Sequence, residues 1–227
     1  MRLIAVYHKK DAVAYISHLD VQRTLQRAFR RAEIPLAYSN GFNPHPLMSF
    51  ASALGTGSTS DAEWFEVQID GVMDPADFVK RVNRHVPPDF FLSDAMEAPE
   101  KFGTLSALTR GAEYLVLVNS DKSFDVQTLQ NTIRDMLSGE IIVNKRTKSG
   151  IKPVDIRPQI IRVSVERIAG DSFVLRIRGK LQADGGLRTE LFVGALLDRL
   201  DAHGLSRTHR LAMYFESDGL LPRLPLD

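Results

Sequence analysis

The chain has 227 residues, long enough for one large or two small domains. Hydrophobic residues at 44% and charged residues at 25% are typical of a globular protein, so extended disorder, collagen-like repeats and coiled coils are disfavoured. Because 29 Lys and Arg face 28 Asp and Glu, the net charge is only +1, and any surface that binds a polyanion must be local.

The sequence contains no cysteine. Iron–sulfur clusters need thiolate ligands and structural zinc sites nearly always use them, so both are excluded, as are disulfides. The start of the chain lacks the apolar core of a signal peptide, and no run of about 18 apolar residues is present. We therefore expect a cytoplasmic protein with no bound cofactor, no metal and no membrane contact.

Strand and helix patterns alternate along the first half of the chain. They predict a strand at Leu3–Tyr7, a helix from Ser17 to Pro35, extended segments at Leu36–Ser39 and Met48–Ala51, a strand at Trp64–Ile69, a helix from Asp74 to Pro87 and a strand at Phe90–Leu92. The first helix has a clear start, because Ser17 can cap its free amides and Asp20 supplies the acidic partner of a capping box.

The same order of elements returns in the second half. The patterns predict a strand at Tyr114–Val118, a helix at Val126–Leu137, a hairpin of Ile160–Ile168 and Phe173–Gly179, a helix through Val193–Leu200 and a strand at Leu211–Phe215. Two successive βαββαβ units predict an α+β fold of two tandem ferredoxin-like domains with antiparallel sheets. We place the first domain at residues 1–104, with a long uncharged loop at 34–60, and the second at residues 105–227, with a basic segment at 145–162.

Three short strings carry a family resemblance: Tyr15-Ile-Ser-His-Leu-Asp20, Tyr38-Ser-Asn-Gly-Phe-Asn-Pro-His-Pro46 and Lys152-Pro-Val-Asp-Ile-Arg-Pro158. In this order they resemble the radical-SAM-linked protein family, uncharacterised domains fused to, or encoded beside, a radical S-adenosylmethionine enzyme. The resemblance spans most of the chain and implies such a partner. The missing cysteines agree with it, because this chain cannot hold the cluster of a radical enzyme and would act beside one.

His18 and His45 are the candidates for chemistry, since an imidazole transfers protons near neutral pH or binds a metal. A helix start and a Pro-flanked loop could bring the two rings together, with Asp20 orienting them as a catalytic group. The alternative is structural: His18 bonds to backbone in a capping turn and His45 packs in a rigid loop. A metal held by the two histidines and Asp20 would follow no established ligand spacing.

The uncharged loop at residues 34–60 is a candidate ligand surface, since loops this long are usually functional or mobile. Asn40, Gly41 and Asn43 could direct backbone amides at a phosphate, and Phe42 could stack on a base. Ordinary connections use the same residue types, and a Phe is often part of the core.

A local excess of basic residues supports phosphate binding in the second half. The candidate binding residues in this segment are Lys145, Arg146, Lys148, Lys152, Asp155 and Arg157, of which the basic ones would contact phosphates. Arg23 and Arg27, on the outer face of the first helix, could extend the positive field. Surface helices and hairpins are also often basic by chance, and Asp155 could simply pair with Arg157 or with a residue of the first domain.

Three functions remain open from the sequence. The first is an accessory protein that binds an RNA substrate, such as tRNA or rRNA, for a radical S-adenosylmethionine enzyme. The second is an enzyme that uses His18 and His45 as acid and base on RNA or a small substrate. The third is a scaffold that only stabilises the partner enzyme.

Overall fold

A computed structural model describes residues 1–147, 150–182, 185–217 and 219–222. The fold is mixed, with helices packed on mostly antiparallel β-structure, which confirms the predicted α+β class. The chain divides into two compact units: Met1–Arg110 with the described residues from Ala212 onward, and Gly111–Leu211. These units differ from the predicted domains, because the last strand of the chain ends in the first unit.

The first unit begins with eight elements. In chain order they are strand β1 (Arg2–Lys9), a 3₁₀ turn (Asp11–Tyr15), helix α1 (His18–Arg31), strands β2 (Met48–Phe50) and β3 (Thr59–Gln68), helix α2 (Pro75–Asn83), strand β4 (Phe90–Glu97) and the short helix α3 (Leu105–Leu108). The strand order is β4–β1–β3–β2, and these pairs are antiparallel.

Both longer helices of the first unit pack on one face of this sheet. Val21, Leu25 and Phe29 of α1 and Phe78 of α2 are buried in the same cluster as Tyr7 of β1. Alternation along the strands therefore directs the even-numbered residues of β1 and β3 to the opposite face. As predicted, Ser17 caps α1, while Asp74 caps α2 and Pro75 is its first residue.

The extended segment predicted at Leu36–Ser39 is not a regular strand. Leu36 and Tyr38 form isolated bridges, with Ile69 and Pro46 respectively. The Ser39 N–H donates to the His45 carbonyl at 2.9 Å. The chain therefore turns back on itself after Ser39 and does not continue along the sheet.

The second unit repeats the order of the first and contains an inserted hairpin. Its elements are β5 (Thr109–Ser120), α4 (Val126–Leu137), β6 (Ile142–Thr147), β7 (Gly150–Asp155), β8 (Ile160–Ala169), β9 (Ser172–Gln182), β10 (Gly185–Gly186), α5 (Thr189–Arg199) and β11 (Gly204–Phe215). The strand order is β8–β9–β5–β11, and the short β10 also pairs with β9. Strands β6 and β7 form a separate two-stranded hairpin. Within the described residues, no helix has the length and apolar character needed to cross a membrane.

Candidate functional site

His18 is the first residue of α1 and lies against Phe50 at the end of β2. The two rings meet edge to face with centroids 4.7 Å apart, and the imidazole is half-buried. Burial lowers the pKa of His18 below its usual value, and the nearby Lys9 ammonium lowers this pKa further. Lys9 is itself buried, and its Nζ donates to the Ile16 carbonyl at 3.2 Å. This environment favours the neutral imidazole.

Asp20 takes part in the start of α1. The Ser17 hydroxyl donates to Asp20 Oδ2 at 2.6 Å and accepts the Asp20 backbone N–H at 3.2 Å, so the predicted capping box is present. Arg23 Nη1 lies 3.4 Å from the other carboxylate oxygen. The hydrogen bond from Ser17 is the main reason that the pKa of Asp20 is lowered. These contacts give the carboxylate a helix-capping role.

His45 closes the exposed loop that begins at Ser39. Its Nδ1 lies 2.9 Å from Ser39 Oγ, and its backbone N–H donates to the same oxygen at 3.1 Å. The tip of this loop consists of exposed residues, namely Asn40, Gly41, Phe42 and Asn43. Gly41 has a φ of +122°, and the Phe42 side chain is fully exposed. Phe42 is therefore outside the core and accessible to a ligand.

His18 lies beside Phe50, the last residue of β2, and His45 precedes the first residue of that strand by three positions. The His18 ring contacts Phe50, whereas the His45 ring contacts the Ser39 hydroxyl. The two imidazoles thus have different described partners, and their joint acid–base chemistry stays a prediction. Across the described part of the chain, no three His, Asp or Glu side chains cluster as potential metal ligands.

A small hollow beside His45 contains a buried carboxylate. It has a volume of about 300 Å³, and its polar lining includes Arg2, His45, Ser49, Glu66 and Gln68. Glu66 is only 6% exposed, and the Ser49 hydroxyl donates to its Oε1 at 2.7 Å. None of the described groups donates a hydrogen bond to Glu66 Oε2, and Arg2 Nη1 is 3.8 Å away. A buried carboxylate oxygen of this kind is a strong acceptor for a ligand N–H.

The basic hairpin of β6 and β7 carries part of the predicted phosphate-binding segment. Lys145 is directly opposite Lys152, and Arg146 is opposite Ile151, whose side chain is 71% exposed. Lys148 lies outside the described residues. On α1, Arg23 and Arg27 are exposed on the outer face, as predicted.

Asp155 and Arg157 connect the hairpin to the rest of the second unit. Asp155 Oδ1 accepts the backbone N–H groups of Ile141 and Arg157, both at 2.9 Å. The Arg157 guanidinium donates to the carbonyls of Leu137 at 2.7 Å and Ile160 at 3.0 Å. Their side chains thus hold the end of α4 beside the start of β8, which is a structural role.

A second group of charges lies on the sheet of the second unit. Arg162 on β8 is directly opposite Arg178 on β9, and both line a hollow of about 250 Å³ with Arg176. Glu113 is 3.2 Å from both Arg176 and Arg178. No carboxylate of the described chain lies within ion-pair distance of Arg162.

The ion pairs in this hollow affect the protonation of their members. A hydrogen bond from Arg176 is the main cause of the lowered pKa of Glu166, whose Oε1 is 3.2 Å from the guanidinium. The same hydrogen bond is the main cause of the raised pKa of Arg176. Both groups therefore remain charged at neutral pH.

The family of this chain follows from its sequence. Residues 2–188 match the model of DUF2344, which is described as an uncharacterized protein conserved in bacteria. The chain belongs to this family. A search of curated proteins finds no match.

Solved structures share the fold of this DUF2344 protein at low sequence identity. A chain of the crystal structure of a Cbf5-Nop10-Gar1 complex superposes with a TM-score of 0.56 at 13% identity, covering 98% of this chain and 52% of that one. A chain of the archaeal box H/ACA sRNP Nop10-Cbf5 complex superposes with a TM-score of 0.50 at 11% identity, covering 92% and 46% respectively. The protein thus spans about half the length of the chains that it matches.

Sequence reasoning missed Arg176 and Arg178, although a signal was present. The two arginines are two residues apart in a segment predicted as a strand, and this spacing places both guanidiniums on one face. Glu66 had a similar signal, because it alternates with apolar residues in a predicted strand. No sequence signal predicted the burial of Lys9. This burial depends on the segment from Asp11 to Ile16, which folds over the end of β1.

Proposed function

We propose that this protein binds RNA through cationic strand pairs in its second unit. Two observations support the proposal: Lys145 is directly opposite Lys152, and Arg162, opposite the ion-paired Arg178, has no carboxylate of the described chain within ion-pair distance. Like charges directly opposite each other on paired strands destabilise a sheet. A polyanion that lies across them removes this repulsion and releases its own counterions, so binding becomes favourable.

The arrangement of the strands supports RNA as the polyanion. We infer that both units are ferredoxin-like, because each has two helices between four strands in the order fourth, first, third, second. Four-stranded sheets with helices on one face are used by RNA-recognition modules, which bind single strands on the open face. One solved chain with this fold comes from a small ribonucleoprotein. A transfer RNA or ribosomal RNA substrate in the cytoplasm is consistent with these features.

A filter-binding experiment with tRNA, rRNA fragments and a uridine oligomer tests RNA binding. We expect the affinity of the wild-type protein to fall steeply with salt, with a slope of roughly −0.7 per phosphate contact for a single strand. The double variant Lys145→Gln/Lys152→Gln and the variant Arg162→Gln should bind more weakly and show shallower slopes. Lys80→Gln, an exposed lysine on α2, is the matched control and should bind normally. No measurable RNA binding, alone or with the partner enzyme, would disprove the proposal.

We further propose that the protein presents its RNA to a radical S-adenosylmethionine enzyme. The resemblance of its three sequence strings to radical-SAM-linked proteins and its lack of cysteine support this role. Co-expression with such an enzyme from the same genome, followed by a pull-down, should recover both chains. Loss of the complex after ribonuclease treatment would show that RNA bridges them, whereas a nuclease-resistant complex without RNA binding would favour a scaffold. Turnover of RNA by this chain alone would contradict an accessory role.

A further inference from the structure

We infer that the hollow beside His45 binds the edge of an unpaired guanine base. This inference rests on the proposed RNA binding and adds base recognition in the first unit to phosphate binding in the second. The hollow has a volume of about 300 Å³, at the lower end for ligand sites, which suits a single base better than a larger molecule.

The polar groups of the hollow match the guanine edge. Glu66 offers the buried oxygen Oε2 as an acceptor, and the Arg2 guanidinium nearby is a donor only. Guanine presents two adjacent N–H donors, at N1 and N2, next to the carbonyl acceptor O6. In this pose the N–H groups donate to the Glu66 carboxylate and O6 accepts from Arg2.

The surroundings keep these groups in place before a ligand arrives. Ser49 donates to Glu66 Oε1 at 2.7 Å, which orients the carboxylate with Oε2 unfilled. Arg2 donates to the backbone carbonyls of Phe102 and Gly103, which restrains its guanidinium. The loop that supplies His45 also carries the fully exposed Phe42, an aromatic ring available to stack on a base.

Competition between short RNA strands tests the inference. The probes are a uridine decamer with two central guanosines and the same strand with inosine, which lacks only the N2 amino group. We expect the wild-type protein to bind the guanosine strand about tenfold more tightly, since a charge-assisted hydrogen bond is lost with inosine. Glu66→Gln should abolish this preference, so that the ratio of the two affinities falls to about one. Glu97→Gln, an exposed carboxylate change on β4, is the matched control and should keep the preference.

The outcomes separate this inference from the proposed function. If the wild-type protein binds both strands equally, or if Glu66→Gln keeps the preference, the guanine site is wrong while RNA binding stands. Should Glu66→Gln fail to fold, Gln68→Phe fills the hollow from its exposed rim and should remove the preference in the same way.

If no RNA binds at all, a titration with nucleosides still tests whether the hollow binds guanine. Trp64 is the only tryptophan and lies two residues before Glu66 on β3, so its fluorescence reports on the hollow. A saturable change with guanosine, about tenfold weaker with inosine and lost in the Glu66→Gln protein, would support the site. No change with guanosine would overturn it.

Discussion

His18 illustrates how a single residue links burial to pH. Its ring is half-buried against Phe50 and faces the buried ammonium of Lys9, and both effects lower its pKa. In the unfolded chain the same imidazole has its ordinary pKa of about 6.5. As the pH falls from 7 to 5, the unfolded chain therefore takes up a proton at His18 more readily than the folded chain does, and folding stability decreases.

We predict that His18→Gln weakens this pH dependence. The free energy of unfolding of the wild-type protein should fall between pH 7 and pH 5, and the variant should lose less over the same range. Urea titrations at several pH values measure the difference. His203→Gln, at an exposed histidine, is the control and should follow the wild type. Parallel pH profiles for the wild type and His18→Gln would show that the burial of His18 has no energetic effect.

The cap of α1 gives a second prediction at the residue scale. Ser17→Ala removes the side chain that accepts the Asp20 N–H and donates to its carboxylate, and it should cost about 1 kcal/mol of stability. The pKa of Asp20 should rise toward its usual value, because the Ser17 hydroxyl is the main cause of its lowering. Chemical denaturation and carboxylate NMR titration measure the two effects. Ser17→Thr retains a hydroxyl, so it should show little of either the loss of stability or the rise of the Asp20 pKa.

The hairpin of β6 and β7 is the element on which the proposed RNA binding depends most. Two-stranded hairpins have little stability of their own, and Lys145 opposite Lys152 reduces it further. We predict that Lys152→Glu stabilises the free protein by about 0.2 to 1 kcal/mol, because it turns repulsion into attraction. The same change should weaken RNA binding, since a cation is replaced by an anion.

Opposite signs of the two effects distinguish a binding surface from a chance pair of lysines. Thermal unfolding measures the first effect and filter binding the second. Lys80→Glu on α2 is the control, and it should change neither the thermal stability nor the RNA affinity by a comparable amount. A Lys152→Glu protein that is more stable and binds RNA as tightly as the wild type would remove the hairpin from the interface.

Strand β9 depends on a glycine for its packing. A Cβ at Gly179 would lie 2.6 Å from Leu187 Cδ2 and 3.3 Å from the Gln159 carbonyl. Gly179→Ala should therefore destabilise the protein by about 1 to 3 kcal/mol through overpacking. Gly194→Ala on α5 meets no atom within 4 Å and should instead stabilise it slightly through helix propensity. Denaturant midpoints measure the stability of the two variants. Equal changes in Gly179→Ala and Gly194→Ala would contradict this account.

At the scale of the whole molecule, the last strand determines how the chain divides. Phe215, near the end of β11, is 2% exposed and packs edge to face on Trp64 of the first unit, with centroids 5.3 Å apart. The sequence alone suggested that all residues after 104 form the second domain. The chain instead returns to the first unit from Ala212 onward.

We predict that Phe215→Ala destabilises the surroundings of Trp64. The loss of a buried phenyl ring should cost about 3 to 5 kcal/mol, and the emission of Trp64 should shift to the red in the variant. Leu205→Ala, at the exposed start of the same strand, should leave both the stability and the emission unchanged. A normal Trp64 spectrum in Phe215→Ala would contradict the assignment of the chain end to the first unit.

The sequence by itself determined the features that depend on neighbouring residues. The capping box at Ser17, the start of α2 at Asp74 and the hairpin turn after Ala169 follow from side chains a few residues apart, so local patterns predicted them. Together these local signals were sufficient for the α+β class.

Only the tertiary structure decided which distant residues meet. The hollow formed by Arg2, Ser49 and Glu66 joins three strands, and the Arg162 and Arg178 pair depends on the register of β8 against β9. The contacts of His18 with Phe50 and of His45 with Ser39 likewise depend on the folded chain. Strand pairing sets such contacts, because a register shift of one residue moves every side chain to the other face, and bulges and pairings between distant strands are not read from local patterns.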